Sequence, residues 1–406
     1  MFEADLRVPS DGLLLHIGPH KTGTTTIQGA LLNAREAMVA HDVIYAGRTR
    51  QHQMAALAVT GGNGLRGSRP ARRTDWDLVV AAARRADQQR VIVSSEYFDD
   101  ATDDVARRVV RELGDERVHV VVTLRPLALI LPSAWQQYVR NQMRMSYPRW
   151  LDVVLNDPDR AGRSARFWYR HHHDVLVERW ASIVGPERLL VVVVDESDRE
   201  SLLRTFERLV DLPTGLLRPE EGWTNRSLTA AEIELIRAIN VEFHNRDLPA
   251  TLYYDLVYEG IVRQMQLRTP EPDEPRITTP AWAVEQANAI AAAAATRIAE
   301  SGVRVLGDLA SLSAVKPVPD DRQTSLKKIT VGIKPARDAL LGAILTSGAM
   351  HTAAIQSSAP WTINEVRTSA LMSEFAHRVA SRGPERARAL AVRASMSLRA
   401  RGARRS

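Results

Sequence analysis

One stretch constrains the chain more than any other: Leu13-Leu14-Leu15-His16-Ile17-Gly18-Pro19-His20-Lys21-Thr22-Gly23-Thr24-Thr25-Thr26-Ile27-Gln28. It opens with an apolar run of strand character, Leu13 to Ile17, that stops at Gly18. From Thr24 the pattern turns helical, with Ile27, Ala30, Leu31 and Ala34 at three- and four-residue spacing. Between them lies a tight loop bounded by Gly18 and Gly23. A strand, a loop and a helix start leave backbone N–H groups without partners, and such groups attract an anion. The hydroxyls of Thr22, Thr24, Thr25 and Thr26 and the ammonium of Lys21 add further donors. A nucleotide-triphosphate loop reads G-x-x-x-x-G-K-[ST], with its lysine after the second glycine. Gly18 and Gly23 have that spacing, but Thr24 follows and the lysine sits inside the loop. The phosphate cradle is kept and its cation is moved.

The remainder of the chain supplies a sheet for this loop. Val43–Gly47, Val91–Ser94, Val118–Leu124 and Leu189–Val194 read as further strands, the last of them final. Helical patterns fall at about Asp75–Gln89, Asp103–Leu113, from after Pro126 to about Arg144, around Trp150–Asn156 and Phe167–Val184, and over Glu200–Leu209. Apolar strands alternating with helices predict an α/β fold, a parallel sheet flanked by helices. From Thr224 to about Ser301 the chain reads as mostly helical, with Thr229 and Glu232 at capping-box spacing. Pro317–Asp321 has the composition of a linker. The expected division is a main domain over 10–312 and a basic, mostly helical C-terminal extension over 313–406.

Composition narrows the function. The absence of cysteine excludes disulfides, thiolate metal sites and cysteine nucleophiles. The net charge of +6 belongs to the last 94 residues, which hold 16 Lys and Arg against 6 Asp and Glu. The remainder is slightly acidic, which argues against wholesale nucleic-acid binding. The basic tail leaves a contact with an anionic surface open, beside the simpler role of a solvated face. No apolar run is long enough to span a bilayer and the start is acidic, so a cytoplasmic protein is expected.

Ligands of open α/β sheets sit outside the carboxyl ends of the strands. Those ends deliver the Lys21 loop, Glu96, Arg125 and Asp195. Lys21-Thr22-Gly23-Thr24-Thr25 resembles the 5′-phosphosulfate loop of the sulfotransferases that use 3′-phosphoadenosine 5′-phosphosulfate (PAPS). Arg125-Pro126, followed by Ser133-Ala134-Trp135, resembles their second motif. The resemblance covers about residues 10 to 240 and implies a P-loop-like sulfotransferase fold. It implies transfer of a sulfuryl group to a hydroxyl, or less readily an amine, of a carbohydrate, lipid or small molecule. The donor would lie against His20, Lys21, Thr22, Gly23, Thr24, Thr25 and Thr26. Arg125 and Ser133 would hold its 3′-phosphate, and Arg226, after Glu220-Glu221-Gly222-Trp223, would close over it. Lys21 and Glu96 would be catalytic, Glu96 as the base, with His20 and His16 as rivals. No metal is implied.

Two other readings stand beside this one. A strand ending in Asp195 suits a magnesium-dependent kinase, and a degenerate fold could scaffold a partner. His171-His172-His173, diverging around a helix, cannot face one metal ion and are expected at the surface or an acceptor site. Trp135, Tyr138, Trp168 and Tyr169 suit either an acceptor wall or a core.

Overall fold

The computed structural model describes residues 6–349, apart from 48, 63, 65–66, 157–162, 199, 221–225 and 318–331. Its six strands are β1 (Leu13–His16), β2 (Val43–Tyr45), β3 (Arg90–Ser94), β4 (Val118–Leu124), β5 (Leu189–Val193) and β6 (Arg304–Leu306). They form one sheet in the order β2-β3-β1-β4-β5-β6, parallel throughout. The chain is therefore α/β, as its pattern predicts. Leu13, Leu14 and Leu15 of β1 are all fully buried, as a strand at the centre of a two-sided sheet requires. Among the described residues the last strand is β6 and not β5. Its three half-buried residues are too few and too wet to announce themselves as an apolar run.

Alternation along the strands fills two layers. Leu13, Leu15, Val91, Val93, Val120 and Val122 face one side and pack with Trp76, Val109 and Trp180 from helices Arg73–Arg85, Asp103–Leu113 and His173–Val184. Leu14, Ile92, Val121 and Val192 face the other, against Ile27 and Leu31 of α1 (Thr24–Asn33) and Phe206 of helix Ser201–Leu209.

A separate apolar cluster is built by helices alone. Leu131 and Trp135 (helix Leu127–Arg140), Trp150, Phe167, Ile233 and Val284 meet there. Helix Ile333–Ala349, from the expected extension, joins this cluster through buried Ala339. It crosses the π-helical segment Tyr254–Val262 so closely that a Cβ on Gly342 would lie 2.5 Å from Gly260 O. Part of the expected extension thus packs on the body. The expected helix Phe167–Val184 is two helices, Arg163–His171 and His173–Val184, broken at His172.

Because β1 lies between β3 and β4, the chain ends of these three strands are neighbours. The Lys21 loop, Glu96 and Arg125 therefore emerge on one edge.

Candidate functional site

The loop is anchored from below. His16 bridges the neighbours of its own strand, with Nδ1 2.9 Å from Ser94 Oγ and Nε2 3.2 Å from Thr123 Oγ1. Burial lowers its pKa to about 3. Neutral and bonded at both nitrogens, His16 is a strut and not a base. Thr123 N–H donates to Gly18 O at 2.8 Å. Thr22 Oγ1 donates to Pro19 O at 2.7 Å and shares a 2.6 Å hydrogen bond with Thr123 Oγ1. The Thr22 hydroxyl, expected on the donor, is spent in holding the loop to β4.

Two backbone positions then aim the loop. Gly18 has φ +83°, and a Cβ there would lie 3.0 Å from both Cα and Cβ of Glu96. Only glycine lets the loop lie so close to the end of β3. Lys21 has φ 72°, a left-handed conformation that costs a residue with a Cβ roughly 1–2 kcal/mol. Gly23 caps α1 without a side-chain cap, and no acidic residue lies in the first turn. The positive end of the helix stays open.

Above it is a cleft of about 360 Å³. Its wall brings together His20, Lys21, Gly23, Thr24, Thr25, Thr26, Glu96, Arg125, Ser133 and Arg226. Of the residues expected on the donor or in catalysis, Thr22 and the rival base His16 are off the wall. Gly29, Arg50, Gln136, Gln137, Arg140 and Glu220 join it. Ser133, Gln136, Gln137 and Arg140 are one helical face at i, i+3, i+4 and i+7, so the sequence did hold a signal for Arg140. Arg50 and Glu220, paired at 2.7 Å, come from segments with no local relation.

The wall is cationic, but its cations differ in freedom. Arg125 is forked on Glu196, with Nη2 2.7 Å from Oε2. Arg226 is fully engaged: its Nη1 and Nη2 each donate to Glu232 at 2.8 Å, and its Nε donates to Arg268 O at 2.8 Å. Glu232 is completely buried and also accepts from Thr229 N–H, closing the capping box that the sequence predicts. Burial raises its pKa, but the bonds from Arg226, Thr229 and Arg268 outweigh that and hold it low. Arg226 serves this buried carboxylate, so its expected closing over a 3′-phosphate would require breaking the pair. Residues 221–223 and Asn225, beside it, lie outside the described residues.

Lys21 has no carboxylate at ion-pair distance among the described residues. Burial above all, then Arg140 and Arg125, lower its pKa to about 7, with Glu96 opposing. Four buried polar atoms of the wall have no hydrogen-bond partner among the described residues: Thr24 Oγ1, Arg140 Nε, His20 Nε2 and Glu220 Oε2, the last at ion-pair distance from Arg50. A buried lysine and orphaned polar donors in one cleft leave hydrogen-bonding capacity that an anion could satisfy.

His20 is 4% exposed and its Nδ1 is 2.6 Å from Asp99 Oδ2. Asp99 lies at the far side of the short helical turn that begins with Glu96. Burial pushes the Asp99 carboxyl above the usual carboxylate range, and His20 and then Arg170 only partly offset that.

Several expected placements change. Asp195 is off the wall, and its Oδ1 accepts from the N–H and Oγ of Ser197 at 2.8 and 2.6 Å. His171 and His173 are buried, turned inward by the break at His172, and burial lowers both, His173 to about 4. Trp135 and Trp168 belong to the helical cluster, with indole N–H groups donating to Met145 O and Val154 O. Among the described residues no three His, Asp or Glu side chains are grouped to hold a metal. No helix there is long and apolar enough to cross a membrane.

No protein-family model matches the chain, and neither the curated proteins nor the solved structures contain a match to it.

Proposed function

We propose that the chain is a sulfotransferase that moves the sulfuryl group of PAPS to a hydroxyl of an acceptor. One observation carries this. A lysine inside a strand–loop–helix anion cradle shares a single cleft with Arg125, Ser133 and Arg140, which come from β4 and the helix after it. Two anion-binding poles in one cleft suit a ligand with phosphates at both ends, and an adenosine 3′,5′-bisphosphate is such a ligand.

The roles follow from position. The open end of α1 and the Thr24–Thr26 hydroxyls hold the 5′-phosphosulfate. Lys21 neutralises the charge that grows on the bridging oxygen as its bond to sulfur breaks. Arg125 and Arg140 take the 3′-phosphate, with the Ser133 hydroxyl beside them, and so fix the donor for an in-line approach. The acceptor proton passes to a group on the wall near Glu96 and His20. A sulfuryl group carries less charge than a phosphoryl group, so the scheme uses no metal.

A magnesium-dependent kinase is the second reading, and the withdrawal of Asp195 from the wall weighs against it. Calorimetric titration separates the two. Sulfuryl transfer predicts tight binding of 3′-phosphoadenosine 5′-phosphate (PAP), unchanged by EDTA. A kinase predicts binding of ATP that magnesium strengthens. A scaffold predicts neither.

A further inference from the structure

We propose that His20, oriented by Asp99, takes the acceptor's proton, and that Glu96 acts instead on Lys21; this rests on the sulfuryl-transfer function above. The geometry of His20 differs from that of a support. Its ring Nδ1 and its own backbone N–H both meet one oxygen, Asp99 Oδ2, at 2.6 and 3.1 Å. Ring and main chain are therefore clamped to a single fully buried carboxylate. The clamp is itself held. Arg170 Nε lies 3.5 Å from Asp99 Oδ1 and donates to Asp100 Oδ1 at 2.7 Å. The Tyr97 ring stands edge-on to the imidazole with centroids 4.8 Å apart.

A carboxylate at Nδ1 places the ring proton there and leaves Nε2 with a lone pair. That Nε2 is buried, has no partner among the described residues, and belongs to a residue of the cleft wall. Asp99 Oδ1, on the far side of the clamp, likewise has no hydrogen-bond partner among the described residues. The charged and titratable groups around it are Asp99 with Arg170 and Asp100 behind it, Tyr97, Lys21 and Glu96 on the wall, and buried His171.

Glu96 is placed differently. Its Oε2 accepts from Gln28 Nε2 at 3.3 Å, and its charge favours the ammonium form of Lys21 against burial. The loop presses on its Cα and Cβ through Gly18. It is suited to keep the loop cation charged.

The step balances without another reactant. The acceptor oxygen forms its bond to sulfur as its proton passes to His20 Nε2. The bond from sulfur to the bridging oxygen breaks, and its electron pair stays on the departing 5′-phosphate beside Lys21. Asp99 stabilises the imidazolium, which then loses its proton to water. Asp99 is a positioning residue.

The full chain is tested with PAPS, water serving as acceptor, and with PAP for binding. His20→Gln should cut PAPS hydrolysis at least about 100-fold while PAP affinity stays within about threefold. Glu96→Gln should weaken PAP binding and move its pH dependence to lower pH, because Lys21 loses the neighbour that keeps it charged. Nitrogen-15 spectra of the imidazoles, assigned by loss of the His20 signal, should show His20 protonated at Nδ1 and bare at Nε2. Asp99→Asn should abolish that signature. A His20 protonated at Nε2, or unimpaired hydrolysis in His20→Gln, would overturn the dyad while leaving the donor assignment intact. Failure of the wild-type chain to bind PAP would instead overturn the donor assignment.

Discussion

Lys21 titrates where its pKa can be read out by binding. Burial lowers its pKa to about 7, which predicts that the ammonium of the empty cleft starts to lose its proton near neutral pH. An anion favours the ammonium and raises the pKa in the complex. Binding of PAP at pH 7.5–8 should therefore take up a fraction of a proton. Affinity should fall, by at most about tenfold per pH unit, as pH rises above about 7. Calorimetry in two buffers of different ionisation heat measures this directly, and an uptake of zero would contradict it. Two threonines in the same loop should separate cleanly. Thr22→Val breaks the bonds to Pro19 and Thr123 and should lower stability by about 1–2 kcal/mol in a urea titration. Thr24→Val removes a buried hydroxyl that has no partner, so it should leave stability nearly unchanged and weaken PAP binding. Glu196→Gln should tighten PAP binding by up to about fivefold, since it releases Arg125 from an exposed pair worth at most about 1 kcal/mol. The displaced lysine was legible in the sequence because it is a matter of spacing. The role of Thr22 was not, because a threonine suits a ligand and a strut equally, and Thr123, 101 positions away, decides between them. The His20–Asp99 clamp was hidden for the same reason, its partners standing 79 positions apart.

At the scale of elements, the site is made by β1, its loop and α1 wedged between two strand ends. Gly18 is the hinge of that arrangement. Gly18→Ala places a Cβ against Glu96 at a φ of +83°, and should cost about 1–3 kcal/mol and loosen PAP binding together. Thermal melts with and without PAP would show both losses; an unchanged melt would contradict the close packing. The buried strands were legible because a strand covered on both faces must be apolar along its length. β6 was not, because an edge strand of three half-buried residues carries no such run. The break at His172 was also missed, since the apolar period continues across it and only the backbone turns, with ψ at 86°. That turn sends His171 and His173 inward, against the surface placement that the helical wheel suggests.

At the scale of the molecule, the described residues form two layers on a sheet and a third, purely helical cluster beside it. The cleft wall draws on both parts: the loop and Glu96 belong to the sheet edge, and Ser133, Gln136 and Arg140 to the helix that leads into the cluster. Composition placed the basic excess after residue 312 but could not show that helix Ile333–Ala349 docks on Tyr254–Val262, since the crossing rests on two glycines with no pattern of their own. A chain ending at Pro317 should be less stable than one ending at Ala349 by on the order of 2–5 kcal/mol, comparable with emptying a core site. Denaturant unfolding of the two checks this. The central claim concerns two anion poles in one cleft, and the 3′-phosphate tests it most directly. PAP and AMP differ only in that group. Titrated side by side, wild-type chain should bind PAP at least about 100-fold more tightly than AMP, and Arg125→Ala should erase most of the difference while leaving AMP unaffected. Equal affinities for PAP and AMP in the wild-type chain would contradict the account.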